Sequence, residues 1–314
     1  MEHIPEPKEI DELVVKVIGT GGIGLSIIED LTRTLMYGNH EFFIAEPQLH
    51  LIDGDEFEEK NKARQGFATV SEKDGKFTAQ YHRGNKAEVT ANKLKAEFPF
   101  VNFHVHPTYL DEGNIASHIS DGDYIFMCVD NHQTRKLVSE YCDNELDNFI
   151  LISGGNNYED GNVQVFYRKD GKDITLPIHA EIDQSGRIYH PEIANPTDKH
   201  PNEIEEHVGC LEMVQSAPQL LLANRTAGTF MLNSFYSILK GNFDKDDILN
   251  IFKFDDAHFD IRKPTVLSNN EIERKSRERA SKLQEDLNLA KSLLSEEQIQ
   301  EYYRLRQIRE QEQS

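Results

Sequence analysis

A glycine-rich turn between a predicted strand and a predicted helix constrains the fold of this chain more than any other feature. The apolar run Leu13–Ile18 favours a buried strand, and Ile23–Met36 has the pattern of a helix. Glycines in the G-x-G-x-x-G turn between them let the backbone approach a phosphate, and the helix start supplies amide donors. This unit predicts a nucleotide-binding sheet, with the phosphates near Gly19, Gly21, Gly22 and Gly24.

Strand and helix patterns continue to alternate over the first two thirds of the chain. The further predicted strands are Leu49–Ile52, Phe103–Val105, Tyr124–Val129 and Phe149–Ser153, and the further predicted helices are Lys86–Glu97 and Gln133–Leu146. Such alternation is typical of βαβ units. We therefore predict a Rossmann-like α/β fold, a mostly parallel sheet with helices on both faces. Residues Gly38–Gln48 are predicted to be an insertion before the second strand.

The composition changes twice beyond this sheet. Residues 155–215 are rich in polar residues, glycine and proline, and predict a hairpin at Val163–Arg168 followed by a long crossover insertion. The apolar stretch Ala217–Leu239 predicts a helix buried in a core or a subunit interface. The sequence therefore predicts two domains. The first is an α/β domain over 1–265 that ends with closing strands, and the second is a charged helical extension over 266–314.

Charge and cysteine content exclude several classes of protein. The chain has 34 Lys and Arg against 55 Asp and Glu, a net charge of −21, which argues against a nucleic-acid partner and an anionic membrane surface. The apolar runs are too short to span a bilayer, and the N-terminus does not resemble a signal peptide. Three cysteines without a C-x-x-C pair exclude a disulfide framework. We expect a cytoplasmic protein.

The polar residues after the second strand favour a triphosphate over a dinucleotide. A dinucleotide site needs one acidic residue there, but the strand ends in Asp53-Gly-Asp55 and is followed by Asn61, Arg64 and Gln65. Asp53 could bind ribose hydroxyls, while Asn61 and Arg64 could reach the phosphates. An NAD-dependent dehydrogenase would leave this second pair unexplained. The simpler alternatives are that Asp53-Gly-Asp55 is only a polar turn and that Asn61–Gln65 is only a solvated helix start.

Two further side chains follow in the same order along the chain. Lys86 begins a predicted helix, where its ammonium could lie against phosphates, although a surface lysine would look the same. Asp130 follows a buried strand, at the edge of the sheet where ligands bind, and could hold Mg²⁺ or merely cap the next helix. Arg135 lies one helical turn later and is a weaker candidate for the same site.

In this order, the motifs GTGGIG, LIDGDEFEEKNKARQ, NKAEVTANKL and CVDNHQTRKLV resemble those of the ThiF/MoeB/ubiquitin-activating superfamily of adenylating proteins. The resemblance covers about Leu13 to Leu239. It implies ATP and Mg²⁺ as cofactors, and adenylation of the C-terminal carboxylate of a ubiquitin-like modifier. The implied nucleotide-binding residues are Gly19, Gly21, Gly22, Gly24, Asp53, Asp55, Asn61, Arg64, Gln65 and Lys86, with Arg64, Lys86 and Asp130 as catalytic residues and Asp130 as the metal ligand.

Relatives transfer the acyl group to a cysteine thiolate in the crossover region, which makes Cys210 the candidate acceptor here. Cys128 and Cys142 fall in a predicted strand and helix, and are expected to be buried and structural. The resemblance also implies a homodimer, and bacterial defence relatives suggest conjugating-enzyme and JAB-peptidase partners.

Two departures from the family pattern stand out. The zinc-binding C-x-x-C pairs are absent, and so is the N-terminal arginine that reaches the partner's site in homodimeric relatives, because no arginine precedes Arg33. The alternatives left open are a non-catalytic scaffold subunit completed by a partner, and adenylation of a peptide or small molecule.

Overall fold

The computed structural model describes residues 8–38, 42–58, 68–73, 76–81, 83–156, 160–182, 190–201, 221–240, 256–260 and 265–268. The chain divides into two compact units, Met1–Ser268 and Asn269–Ser314. All described residues belong to the first unit, so the predicted helices of the C-terminal extension lie outside them.

The first unit is built on a nine-stranded sheet. Its strands are β1 (Lys8–Ile18), β2 (Phe42–Ile52), β5 (Asn102–His106), β6 (Tyr124–Met127), β7 (Phe149–Asn156), β8 (Asp160–Lys169), β9 (Lys172–Asp173), β10 (Asp256–Asp260) and β11 (Thr265–Ser268). The spatial order is β11-β10-β8-β7-β6-β1-β2-β5, with β9 paired to β8. The strands from β7 to β5 are parallel, and β8, β10 and β11 extend the sheet antiparallel. The predicted Rossmann-like α/β fold is confirmed.

A separate antiparallel hairpin, β3 (Ala68–Lys73) and β4 (Lys76–Tyr81), was not expected from the sequence. The helices are α1 (Gly22–Tyr37), α2 (Lys86–Lys95), α3 (His132–Glu145), α4 (Pro191–Ala194) and α5 (Leu221–Leu239), with a short 3₁₀ helix at Ile115–Ser117. Within the described residues, none of these helices is long and apolar enough to cross a membrane.

Both faces of the central parallel strands β1, β2, β6 and β7 are buried towards the middle of the sheet. Val17 belongs to the core shared with α1, α2 and α5, whereas its neighbour Ile18 belongs to the core under α3. Successive side chains of a strand point to opposite faces, so the buried half of β1, Leu13–Ile18, is apolar at every position except Lys16. This explains the unbroken apolar runs of the sequence.

Two sequence expectations are wrong. Residues 42–48 are not an insertion, because Phe42–Ile52 is one strand that pairs with β1 from Lys8 onward. Residues Val163–Arg168 do not form a separate hairpin, because they lie in β8, which pairs with β7 in the main sheet. In both cases the added strand buries apolar side chains, such as Phe42 and Val165, that the local pattern left unassigned.

Candidate functional site

The turns that follow β1, β2 and β6 meet at the carboxyl edge of the sheet. The backbone N–H of Gly19 donates to the carbonyl of Ile52 at 2.9 Å, and that of Cys128 donates to the carbonyl of Ile18 at 2.8 Å. This edge carries the glycine-rich turn, Asp53 and Asp130, as predicted. Ligands of open α/β sheets bind at this edge.

The glycine-rich turn needs two of its glycines for steric reasons. Gly19 has a φ of +89°, which side chains rarely adopt, and a Cβ on Gly24 would lie 2.1 Å from the carbonyl oxygen of Gly19. The first bond of α1 runs from the Leu25 N–H to the Gly21 carbonyl at 2.9 Å. The amides of Gly22, Ile23 and Gly24 therefore lack an intrahelical acceptor, and amides at such a helix start can donate to an anion.

Asp53 connects this turn to the turn after β2. One carboxylate oxygen accepts hydrogen bonds from the Thr20 backbone at 2.5 Å and the Thr20 hydroxyl at 2.8 Å, and the other accepts from the Asp55 N–H at 2.8 Å. Burial raises the pKa of Asp53, while the charge of Lys86 opposes the rise. A carboxylate has about four acceptor positions, so capacity for a ribose hydroxyl remains.

Lys86 is brought to the same place by the start of α2. Asn85 caps this helix, accepting from the Ala87 N–H at 2.9 Å, and its amide donates to the Asp53 carbonyl at 2.7 Å. The Lys86 side chain is buried along its stem, and its ammonium lies 2.7 Å from a carboxylate oxygen of the half-exposed Asp55. A positive charge is thus fixed next to Asp55 and close enough to Asp53 to oppose the rise in its pKa.

Tyr109 is a member of this cluster that sequence reasoning missed. Its hydroxyl donates to the Asp55 carboxylate, and its ring lies over Gly54, where a Cβ would approach ring carbons to 2.6 Å. Burial raises the pKa of this phenol, so the hydroxyl remains a donor at neutral pH. No local pattern marks Tyr109, since it follows β5 and meets Asp55 only through the fold.

Asp130 lies exposed beyond the end of β6. It is not the cap of α3, because Asn131 fills that role and accepts from the Thr134 N–H at 2.8 Å. Among the described residues, no group of three or more metal-ligating side chains is preassembled. A single exposed carboxylate fits Mg²⁺ that arrives with a nucleotide, since this ion keeps waters and phosphate oxygens as its other ligands.

Arg135 points into the protein and holds two strand ends together. Its guanidinium is buried and donates to the Ser153 hydroxyl at 2.5 Å, to the Gly154 carbonyl at 2.6 Å and to the Val129 carbonyl. Burial lowers the pKa of this guanidinium. The expectation that Arg135 lies by the ligand is therefore replaced by a structural role at the carboxyl ends of β6 and β7.

The predicted burial of Cys128 and Cys142 is confirmed. Cys128 is 6% exposed and Cys142 is 0% exposed, and burial raises the pKa of both thiols, that of Cys128 to about 12. Asn61, Arg64, Gln65 and Cys210 lie outside the described residues, so their roles stay predictions.

The comparisons with known proteins agree with this architecture. The ThiF family matches residues 4–272. No curated protein matches the chain significantly. Among solved structures, E. coli MccB with AMPCPP and MccA and E. coli MccB with ATP each match with 14% identity and a TM-score of 0.51, over 82% of this chain and 63% of MccB. E. coli MccB with succinimide gives 14% identity and a TM-score of 0.52 over the same shares.

These structural matches show a shared fold, and this chain spans less than two thirds of MccB. The family match is broader with respect to this chain, since it runs from before β1 to beyond β11. It includes the glycine-rich turn, Asp53, Lys86 and Asp130. The chain belongs to the ThiF family.

Proposed function

We propose that this chain catalyses the ATP- and Mg²⁺-dependent adenylation of a carboxylate. The observation that carries the proposal is the connected cluster at the sheet edge. Thr20, in the glycine-rich turn, donates its N–H to the Asp53 carboxylate. The Asp55–Lys86 ion pair lies beside Asp53, to which Asn85 at the start of α2 is also bonded. Membership of the ThiF family, and the likeness in fold to a protein whose structure holds ATP, support the choice of nucleotide.

In this reaction a carboxylate oxygen attacks the α-phosphorus of ATP, the bond to the bridging oxygen breaks, and pyrophosphate leaves. The products are an acyl adenylate and pyrophosphate, so no other reactant is needed. The chain contributes by positioning the reactants and by neutralising developing negative charge. The amides of Gly22 and Gly24 bind phosphate oxygens, and Asp53 accepts from the ribose.

Lys86, whose ammonium contacts Asp55, neutralises negative charge on the phosphates of ATP. Asp130 would hold Mg²⁺, which supplies further charge neutralisation. Arg64 and Asn61 are proposed to complete the phosphate site, with Gln65 beside them.

The proposed substrate is the C-terminal tail of a ubiquitin-like modifier, on a homodimeric enzyme. The superfamily resemblance of the motifs supports both parts of this proposal. The net charge of −21 favours a modifier with a neutral or basic face. A conjugating enzyme and a JAB peptidase would then act in the same pathway.

A second candidate substrate is a peptide or small carboxylate other than a modifier. It is favoured by the fold likeness to MccB, a microcin C7 biosynthetic enzyme whose structures include complexes with MccA.

Cys210 is the proposed acceptor if a thioester follows adenylation. The chain has three cysteines, and the other two are buried thiols with raised pKa. A thiol of raised pKa is a poor nucleophile. A reducible adduct with the substrate that is lost in Cys210→Ala would establish this step.

The test of adenylation is ATP–pyrophosphate exchange by the full chain, with a modifier and with short peptides ending in a free carboxylate. We expect exchange that depends on one of these substrates and is lost in Lys86→Met. The matched control is Lys95→Met, since Lys95 lies exposed at the other end of α2. Exchange that persists in Lys86→Met would contradict the mechanism. ATP binding without exchange would favour the scaffold alternative.

A further inference from the structure

The first turn of α1 is packed directly against α5. A Cβ on Gly22 would lie 2.5 Å from the side-chain nitrogen Nδ2 of Asn224, and a Cβ on Gly228 would lie 2.5 Å from Cγ2 of Ile27. The Ser26 hydroxyl also donates to the Asn224 carbonyl at 3.2 Å. Glycines at 22 and 228 allow this close approach, so the backbone around Asn224 is fixed beside the glycine-rich turn.

The side chain of Asn224 is buried without using its polar atoms. It is 0% exposed, and neither Oδ1 nor Nδ2 has a hydrogen-bond partner in the described structure. Most buried side-chain polar atoms in proteins are paired, because burial removes the water that would otherwise bind them. Two unpaired atoms on one side chain therefore require an explanation.

The same place holds unpaired backbone donors. The amides of Gly22, Ile23 and Gly24 have no intrahelical acceptor, and the start of α1 carries a positive partial charge. The side-chain amide of Asn224 packs against Gly22, at the same helix start that carries these backbone donors. An anionic oxygen is the group that could accept from both.

We propose that Asn224 is a nucleotide-binding residue, whose Nδ2 donates to a phosphate oxygen of ATP held by the first turn of α1. The inference rests on the proposed function and deepens it, since it adds a ligand contact from α5, outside the four motifs. An asparagine supplies a directed donor without adding charge, so it can be buried before the nucleotide arrives.

The test is titration calorimetry of the full chain with the non-hydrolysable analogue AMPCPP and Mg²⁺. Asn224→Leu keeps the size of the side chain and removes the donor. We expect affinity to fall about tenfold or more, as for loss of a hydrogen bond to a charged group. We expect the melting temperature to stay equal or rise, because a buried unpaired amide is gone. The matched control is Asn233→Leu on the same helix, which should bind as the unmodified chain does.

Adenosine separates a phosphate contact from general damage to the site. Its affinity, measured by competition, should be the same in Asn224→Leu and the unmodified chain, because adenosine has no phosphate. AMPCPP affinity within twofold of the unmodified chain, or an equal loss for adenosine, would overturn the inference.

If Asn224→Leu does not fold, Asn224→Ala provides the same comparison. An unmodified chain that binds no AMPCPP would remove the proposed function and this inference together. Binding that is unaffected by both variants would remove the inference alone.

Discussion

Replacing Gly24 by alanine should separate nucleotide binding from stability. The new Cβ would lie 2.1 Å from the Gly19 carbonyl oxygen, whereas real Cβ contacts are essentially never below 3.0 Å. Gly19 cannot yield freely, since its N–H is bonded to Ile52 and its own Cα faces the Cys128 carbonyl. The turn must therefore shift by about 1 Å, a displacement that can cost on the order of a hundredfold in function.

The cost in stability is smaller, because two effects oppose each other. Overpacking costs about 1–3 kcal/mol, while alanine gains up to about 1 kcal/mol over glycine inside a helix. We expect Gly24→Ala to lose about 0–2 kcal/mol of unfolding free energy and about a hundredfold in ATP affinity.

Calorimetric titration with AMPCPP and urea unfolding measure the two quantities. Gly113→Ala is the control, because the nearest atom to its Cβ is a side-chain oxygen at 3.3 Å. If Gly24→Ala bound AMPCPP within threefold of the unmodified chain, the assignment of this turn as the phosphate site would be refuted.

Three further measurements address the rest of the site and its surroundings. Arg135→Met should lower the unfolding free energy in urea by about 3 kcal/mol, at about 1 kcal/mol for each of three lost hydrogen bonds, and an unchanged value would contradict its structural role. Burial, together with the charges of Lys16 and neighbouring imidazoles, lowers the pKa of His50 from 6.5 to about 3. The contribution of neutral His50 to the free energy of unfolding should therefore be fully present above about pH 6.5 and be lost as the pH drops, by at most about 1.4 kcal/mol at pH 5.5. His50→Gln should flatten this pH profile in urea titrations. Mass spectrometry after brief alkylation of the native chain should find Cys128 and Cys142 unmodified, and labelling of either before unfolding would show that these thiols are not buried.

The sequence predicted the residues that local order along the chain brings together. Gly19 and Asp53 follow directly on buried strands, Asp130 lies three residues after β6, and parallel strands have their carboxyl ends at one edge. Lys86 was predicted because it begins a helix within the same alternation of strands and helices. For these residues, the motif spacing and the topology carry the same information.

The sequence did not predict the contacts that join distant segments. Tyr109 meets Asp55 only once β5 pairs with β2, and Asn224 meets Gly22 only once α5 packs against α1. Nothing in the neighbouring residues distinguishes them from a surface tyrosine or a helix asparagine. The predicted length of β2 was too short for the same reason, because Phe42 joins this strand through its pairing with Lys8.

The antiparallel end of the sheet has a consequence for how this protein can diversify. β10 pairs with β8 although more than eighty residues of sequence separate them. The chain between these strands includes α5, whose Ala227, Met231 and Phe235 are buried in the same core as α1. Sequence change there is therefore limited to changes that keep both the β8–β10 pairing and α5 in place, because α5 packs beside the glycine-rich turn.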